Sequence, residues 1–130
     1  MYTWVDHTAE LELHIEAPSR EELFAEALGA YAELVARDEA GDEVQHEVSA
    51  DAADDAALLA EWLGELVFLA ETDDFVPARL ERLELSGSRL SAVVSGRRGR
   101  PAHLVKAVTY HGLELAQEGD VWRAKVVLDV

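Results

Sequence analysis

Carboxylates stand near both ends of the chain, where strand-like segments begin or end. Residues 6–10 read Asp-His-Thr-Ala-Glu, and Asp129 directly follows the apolar run Val126–Leu128. Asp6, Glu10 and Asp129 offer hard oxygen donors, which select Ca²⁺ or Mg²⁺ over zinc. A strand that ends the chain places the Asp129 side chain beside the main-chain carboxylate of Val130, and two anionic groups there need solvent, a cationic side chain or a cation. In so acidic a chain, solvated carboxylates without a metal are the simpler interpretation.

The other reactive side chains form no recognisable site. No Gly-x-Ser-x-Gly, phosphate-binding glycine loop or His-Glu-x-x-His motif is present, so an enzyme is not favoured. Ordinary strand or loop histidines are favoured over a zinc site, because none has the close spacing of zinc ligands. The histidines are His7, His14, His46, His103 and His111. An isolated lysine at the start of an apolar hairpin, Lys106, is typical of an edge strand that resists further pairing.

Composition restricts the class of protein. A length of 130 residues predicts a single domain over 1–130. The 27 acidic and 11 basic residues give a formal charge of −16, which repels phosphate backbones and argues against tight direct nucleic-acid binding. No apolar run is long enough for a membrane span. Without cysteines or an N-terminal signal pattern, the chain is expected to be cytoplasmic.

Two helices and a first strand follow from hydrophobic periodicity and capping residues. Leu11, Leu13 and Ile15 alternate with polar residues, which predicts a half-buried strand. The capping box Ser19-Arg-Glu-Glu22 predicts the start of a helix that should end between Asp38 and Gly41. A second, more apolar helix should follow the acidic residues 51–55 and end within residues 72–77.

The remaining segments alternate as strands. Residues 43–50 predict one strand, residues 79–85 and 89–94 a hairpin, and residues 106–115 with 121–128 a closing hairpin. Residues 96–101, which include Arg97, Arg98 and Arg100, are expected to form a basic loop. A change of apolar parity near Gly112 predicts a β-bulge there. This order of elements predicts an α+β fold, in which two helices pack on a largely antiparallel sheet.

Several motifs, in order along the whole chain, resemble the archease family. They are Asp6-His-Thr-Ala-Glu10, the Leu-Phe pair of the first helix (Leu23 and Phe24), Leu58-Leu59-x-x-Trp-Leu-x-Glu-Leu-Val-Phe in the second helix, Lys106-Ala-Val-Thr-Tyr-His and the closing Val-Val-Leu-Asp-Val. The resemblance implies an α+β fold of the strand-helix-strand-strand type with an insertion. It also implies an accessory role in tRNA splicing and repair: an activator of an RtcB-type RNA ligase that promotes guanylylation of the ligase histidine and broadens the nucleotides it accepts.

The same resemblance implies a set of site residues. A divalent cation, calcium first and manganese or magnesium as alternatives, would be held by Glu10, Asp129 and the main-chain oxygens of Val130, with Asp6 as an additional ligand. Lys106 would correspond to the family's functionally important lysine. The first acid of the family is usually aspartate, and Glu10 is one methylene longer.

Three other functions stay open at this point. A chaperone or specificity factor for a tRNA-modifying enzyme, such as a methyltransferase, would not affect ligase guanylylation. A small metal-dependent hydrolase using the same acids would turn over a phosphoester without a partner. A metal buffer would need six to eight oxygen ligands for Ca²⁺, more than the three oxygen groups predicted here.

Overall fold

The computed structural model describes residues 1–36, 41–102 and 105–130. Within these ranges the chain forms seven strands and two helices. In chain order they are β1 (Tyr2–His7), β2 (Glu10–Ala17), α1 (Arg20–Val35), β3 (Glu43–Asp51), α2 (Asp55–Thr72), β4 (Phe75–Ser86), β5 (Arg89–Arg98), β6 (Ala107–Glu118) and β7 (Val121–Asp129). α1 ends at Val35, whereas the sequence predicted an end between Asp38 and Gly41. Residues 38–40 of that predicted end lie outside the described residues. His103 also lies outside them.

The strands form two antiparallel sheets. The first has the order β1-β2-β7-β6 and the second the order β3-β5-β4. The predicted α+β class, with two helices packed on antiparallel strands, is therefore confirmed. Two features were not predicted: the strands divide into two sheets, and the opening residues form a separate strand, β1, that pairs with β2 through a tight turn.

The helices connect the two sheets. α1 packs mainly on β4 and β2, and α2 packs mainly on β6 and β3. A buried hydrogen bond joins the helices, because the Trp62 indole N–H donates to the Phe24 carbonyl oxygen at 2.9 Å. The predicted cap is confirmed: Ser19 Oγ accepts a hydrogen bond from the Glu22 amide at 3.1 Å. Neither of the helices in the described ranges is long and apolar enough to cross a membrane.

The segment after α2 differs from the sequence prediction. α2 ends at Thr72, as predicted, but the next strand, β4, begins at Phe75 rather than at residue 79, although Pro77 within it lacks an amide donor. β4 is an edge strand, and its register with β5 shifts directly after Pro77, which is where a sheet tolerates proline. The expected basic loop was also wrong in part, since Gly96, Arg97 and Arg98 are the last residues of β5.

The predicted bulge in the closing hairpin is confirmed. The register of β6 against β7 shifts between Thr109 and Glu114. Gly112 lies inside this interval with φ of +72°, a left-handed conformation that glycine adopts without steric cost. The irregularity leaves the first residues of β6 in regular pairing with the end of β7.

A single methyl group at Gly96 should destabilise the fold. A Cβ atom there would lie 2.1 Å from the Val76 carbonyl oxygen and 2.8 Å from the Pro77 Cα, and both contacts are with backbone that cannot rotate away. We expect Gly96→Ala to lower the free energy of unfolding by about 2 kcal/mol or more, the cost of overpacking. Urea denaturation followed by circular dichroism measures this change.

The matched control is Gly29→Ala in α1, where a Cβ meets no atom within 4 Å. This variant should raise the free energy of unfolding by about 0.5–1 kcal/mol, because alanine favours a helix over glycine. Equal stability of the two variants would contradict the close approach of β4 and β5.

Candidate metal and partner-binding site

The pairing of β2 with β7 brings two predicted ligands together. Leu11, Leu13 and Ile15 point into the core, so Glu10 points to the opposite face of the sheet. The register places Glu10 directly opposite Asp129, and Leu11 opposite Leu128. Residues opposite each other in an antiparallel pair share a face, with Cβ atoms about 4.5–5.5 Å apart. The two acidic residues therefore lie side by side on one face, at one end of the four-stranded sheet.

Main-chain hydrogen bonds tie three segments together at this end. The Val130 amide donates to the Ala9 carbonyl oxygen at 3.1 Å, and the Lys106 amide donates to the Asp129 carbonyl oxygen at 2.8 Å. The β1–β2 turn, the end of β7 and the start of β6 thus meet around Asp129. We call this group of residues, Ala9, Glu10, Lys106, Asp129 and Val130, the acidic end. It contains all of the principal site residues that the sequence predicts.

Ala9 is a feature of the acidic end that the sequence did not reveal. Its φ of +64° is left-handed, a conformation that costs an L-residue about 1–2 kcal/mol. The two-residue turn between His7 and Glu10 requires this conformation, and glycine or asparagine would normally occupy the position. The strained turn aims the Ala9 carbonyl at Val130, and backbone strain of this kind concentrates at functional sites.

The carboxylates of the acidic end lack cationic partners among the described residues. No ion pair joins Glu10 or Asp129 to a lysine, arginine or histidine there, and none involves the Lys106 side chain. Glu10 is half-buried and Asp129 is exposed. Like charges directly opposite each other destabilise a sheet. The free protein therefore carries an electrostatic cost at this position, which a bound cation or a cationic partner would remove.

His7 adjoins the acidic end, and both His7 and His14 contact Glu12 in the neighbouring part of β2; sequence spacing alone did not predict these contacts. His7 is the cross-strand neighbour of Glu10. His7 Nε2 lies 3.5 Å from one oxygen of Glu12, and His14 Nε2 lies 3.2 Å from the other. The pKa of Glu12 is held below its usual range, chiefly by the hydrogen bond from His14 and further by the charges of His7 and Lys125. Glu12 is thus already engaged by two histidines, whereas Glu10 forms no ion pair with a described residue.

Asp6, predicted as an additional ligand, lies apart from Glu10. It pairs with Leu11 in the β1–β2 ladder, and because Leu11 faces the core, Asp6 projects from the face opposite to Glu10. Its role as a ligand stays a prediction that this placement does not support.

The donor chemistry of the acidic end suits a hard cation. Glu10 and Asp129 supply carboxylate oxygens, and Val130 adds main-chain oxygen; these are the ligand types that Ca²⁺ and Mg²⁺ prefer. Within the described ranges, no group of three or more histidine, aspartate or glutamate side chains is arranged to hold a metal ion. Two side chains and a main-chain group do not fill a calcium shell of about six to eight oxygens, so water or a partner would supply the remaining donors.

Comparison with known proteins identifies the family. Residues 2–130 match the model of the archease protein family. The chain belongs to the archease family. Protein archease of Methanosarcina acetivorans is 32% identical, in an alignment that covers 99% of this chain and 95% of the relative. Protein archease of Methanopyrus kandleri is also 32% identical, over 97% of this chain and 96% of the relative.

Solved structures give the same result. The crystal structure of an archease from Thermotoga maritima, described as a "possible chaperone", has a TM-score of 0.70 and 25% identity, and covers 100% of this chain and 98% of that one. The solution structure of protein 1598 of Methanobacterium thermoautotrophicum has a TM-score of 0.69 and 26% identity, over 99% and 98% of the two chains. The family predicted from the sequence motifs is therefore confirmed.

A divalent cation should stabilise the protein through the acidic end. We expect Ca²⁺ or Mn²⁺ at about ten times its Kd to add about 1.4 kcal/mol to the free energy of unfolding, which corresponds to a Tm increase of about 5 °C. The variant Glu10→Gln/Asp129→Asn should lose this response, because it keeps the size of both side chains but removes their charges. Differential scanning calorimetry with and without the cation measures the increase.

Asp120→Asn serves as the control, since Asp120 is an exposed acid in the turn at the opposite end of β7. It should keep the full cation response. An equal Tm increase in the double variant would show that any cation binds elsewhere.

Proposed function

We propose that this protein is an accessory factor that activates an RtcB-type RNA ligase in tRNA splicing and RNA repair, rather than an enzyme itself. It promotes guanylylation and turnover of the ligase and broadens its use of nucleoside triphosphates. Membership of the archease family supports the assignment. The single observation that carries it is the cross-strand pairing of Glu10 with Asp129, at the end of the sheet where Lys106 also stands.

The charge of the acidic end suits insertion into the active site of such a ligase. A site that binds GTP, RNA and metal ions must be lined with cationic groups, because it compensates many phosphate charges. The two carboxylates of the acidic end form no ion pair with a described residue, so they complement a site of this kind. These carboxylates would help to hold a divalent cation close to GTP, and the ligase histidine would form its bond to the α-phosphorus of GTP as pyrophosphate leaves.

The proposed cofactor is a divalent cation, with Ca²⁺ as the first choice and Mn²⁺ or Mg²⁺ as alternatives. Glu10, Asp129 and the main-chain oxygen of Val130 would hold it. The bound cation would neutralise the repulsion between the two carboxylates and fix their orientation. Because the protein donors leave part of the coordination shell open, oxygen atoms of the ligase or its nucleotide can complete the shell.

Lys106 supplies the one cationic side chain of the acidic end. Its amide is anchored to the Asp129 carbonyl oxygen, and its exposed side chain has no hydrogen bond or ion pair with another described residue. In the proposed complex its ammonium contacts an anionic group of the ligase or of the bound nucleotide. The proposal includes a cytoplasmic location and no tight direct binding of RNA, in keeping with the formal charge of −16.

A second candidate function is a chaperone or specificity factor for a tRNA-modifying enzyme such as a methyltransferase. The description of the Thermotoga maritima archease as a "possible chaperone" favours this alternative. A chaperone would raise the recovery of folded partner without changing the rate of its chemistry. The two functions therefore differ in a kinetic measurement on a ligase that is already folded.

Single-turnover guanylylation of the cognate ligase by labelled GTP tests the proposal. We expect the wild-type protein to raise the rate of label transfer by at least tenfold. Asp129→Asn should abolish most of this increase, because it removes one of the two paired charges at unchanged size. Asp120→Asn, at the other end of the same hairpin, should activate like the wild type.

The outcomes separate the functions. Equal activation by all three proteins would keep the activator role but exclude Asp129 from it. No activation of an active ligase by any of them would reject the proposal and favour the chaperone.

A further inference from the structure

A groove with two exposed aromatic residues runs beside the acidic end, between helix α2 and edge strand β6. The α2–β6 groove is lined on the helix side by Glu61, Gly64, Val67, Phe68 and Glu71, and on the strand side by Lys106, Ala107, Val108 and Tyr110. Phe68 is 56% exposed and Tyr110 is 55% exposed. The volume of the α2–β6 groove, about 260 Å³, accommodates one or two side chains. This volume is below the range of about 300–1,000 Å³ that is typical of small-molecule pockets.

The geometry of the groove is set by contacts within the chain. The Tyr110 hydroxyl donates to Glu61 Oε1 at 2.6 Å, which joins the strand to the helix. This hydrogen bond also raises the pKa of Tyr110 above its ordinary value. β6 is an edge strand that pairs only with β7 in the described sheet. No described strand pairs with its outer edge, and Phe68 of α2 provides an apolar contact beside it.

The charge at the end of α2 indicates what kind of segment fits. Glu71 in the last turn is followed by Asp73 at the C-cap and by Asp74, and no basic residue lies in that turn. Each acid near a helix C-terminus opposes the helix dipole. Among the described residues, Glu71 and Asp74 form no ion pair, and the Nδ1 atom of His46 lies 3.9 Å from Asp73 Oδ2. A basic side chain from a partner would compensate these charges.

We infer that the α2–β6 groove is a docking site for an extended segment of the partner protein, which places an apolar side chain against Phe68 and Tyr110 and an arginine or lysine beside Glu71. The inference rests on the proposed function, since the partner is the ligase that the acidic end activates. Lys106 belongs to both surfaces: it lines the groove, and its amide is bonded to Asp129. A segment in the groove therefore holds the ligase where the acidic end can reach its active site.

The two surfaces have different tasks, and kinetics can separate them. The acidic end acts in the guanylylation step, so changes there lower the rate at saturating protein. The groove contributes affinity only, so changes there raise the concentration required for half-maximal activation and leave the saturating rate unchanged. Exposed aromatic residues commonly provide much of the affinity of an interface.

The experiment titrates the folded ligase with the wild-type protein and with variants, and records the guanylylation rate at each concentration. We expect Phe68→Ala to raise the half-maximal concentration by about tenfold. We expect Glu71→Lys to raise the half-maximal concentration as well. A lysine near the C-terminus of α2 is favourable to the helix dipole, so this variant should keep its fold. Glu47→Lys is the matched control on β3, since Glu47 is exposed in the strand while the neighbouring Val48 is buried, and it should titrate like the wild type.

Every outcome decides between the possibilities. If Phe68→Ala and Glu71→Lys both show the half-maximal concentration and the saturating rate of the wild type, the groove inference is overturned and the proposed function remains intact. Absence of activation by the wild type would overturn the proposed function itself. Sedimentation of the wild type as a dimer that Phe68→Ala dissociates would assign the groove to a second copy of the chain and also overturn the inference.

Discussion

The antiparallel register between β2 and β7 determines the arrangement on which the candidate site depends. Leu11 and Leu13 face Leu128 and Val126 in the core, and this buried set prevents the strands from slipping by one residue. A slip of one residue would move Glu10 to the other face of the sheet and separate it from Asp129. The hydrophobic core therefore maintains a pair of like charges that would not otherwise adopt this arrangement.

The cost of that pairing connects stability with function. Charges that repel in the free protein attract a cation or a cationic partner, so part of the energy of association comes from relief of the repulsion. The same reasoning applies to the acids that follow α2, which oppose the helix dipole. Lys106 relates the two regions, because it lines the α2–β6 groove together with Glu71 and its amide is bonded to Asp129.

Much of the fold could be predicted because local signals agreed with the tertiary structure. Alternation in residues 11–15, the Ser19 cap and the parity change near Gly112 each has a local physical cause, and each prediction was confirmed. The start of β4 at Phe75 was not predicted, because the tolerance of Pro77 in that strand depends on its edge position, which is a property of the whole sheet. The division into two sheets also depends on pairing between distant segments, which periodicity does not reveal.

The candidate site was only partly predictable, because it too depends on pairing between segments that are distant in the sequence. Glu10, Asp129, Val130 and Lys106 were identified from motifs, and the structure brings them together. Asp6 was included because it is near in sequence, but alternation along β1 and β2 places it on the other face. The left-handed conformation of Ala9 and the contacts of His7 and His14 with Glu12 arise from turn geometry and strand pairing. No sequence pattern specifies either of them.

Site-specific photo-cross-linking tests the central claim that the acidic end enters the active site of the ligase. A benzoylphenylalanine at Thr8, in the turn beside Glu10, should cross-link to ligase peptides around the histidine that becomes guanylylated. The same side chain at Asp120, at the opposite end of β7, should not reach those peptides. Cross-linking to the active-site peptides from position 120 but not from position 8 would contradict the account.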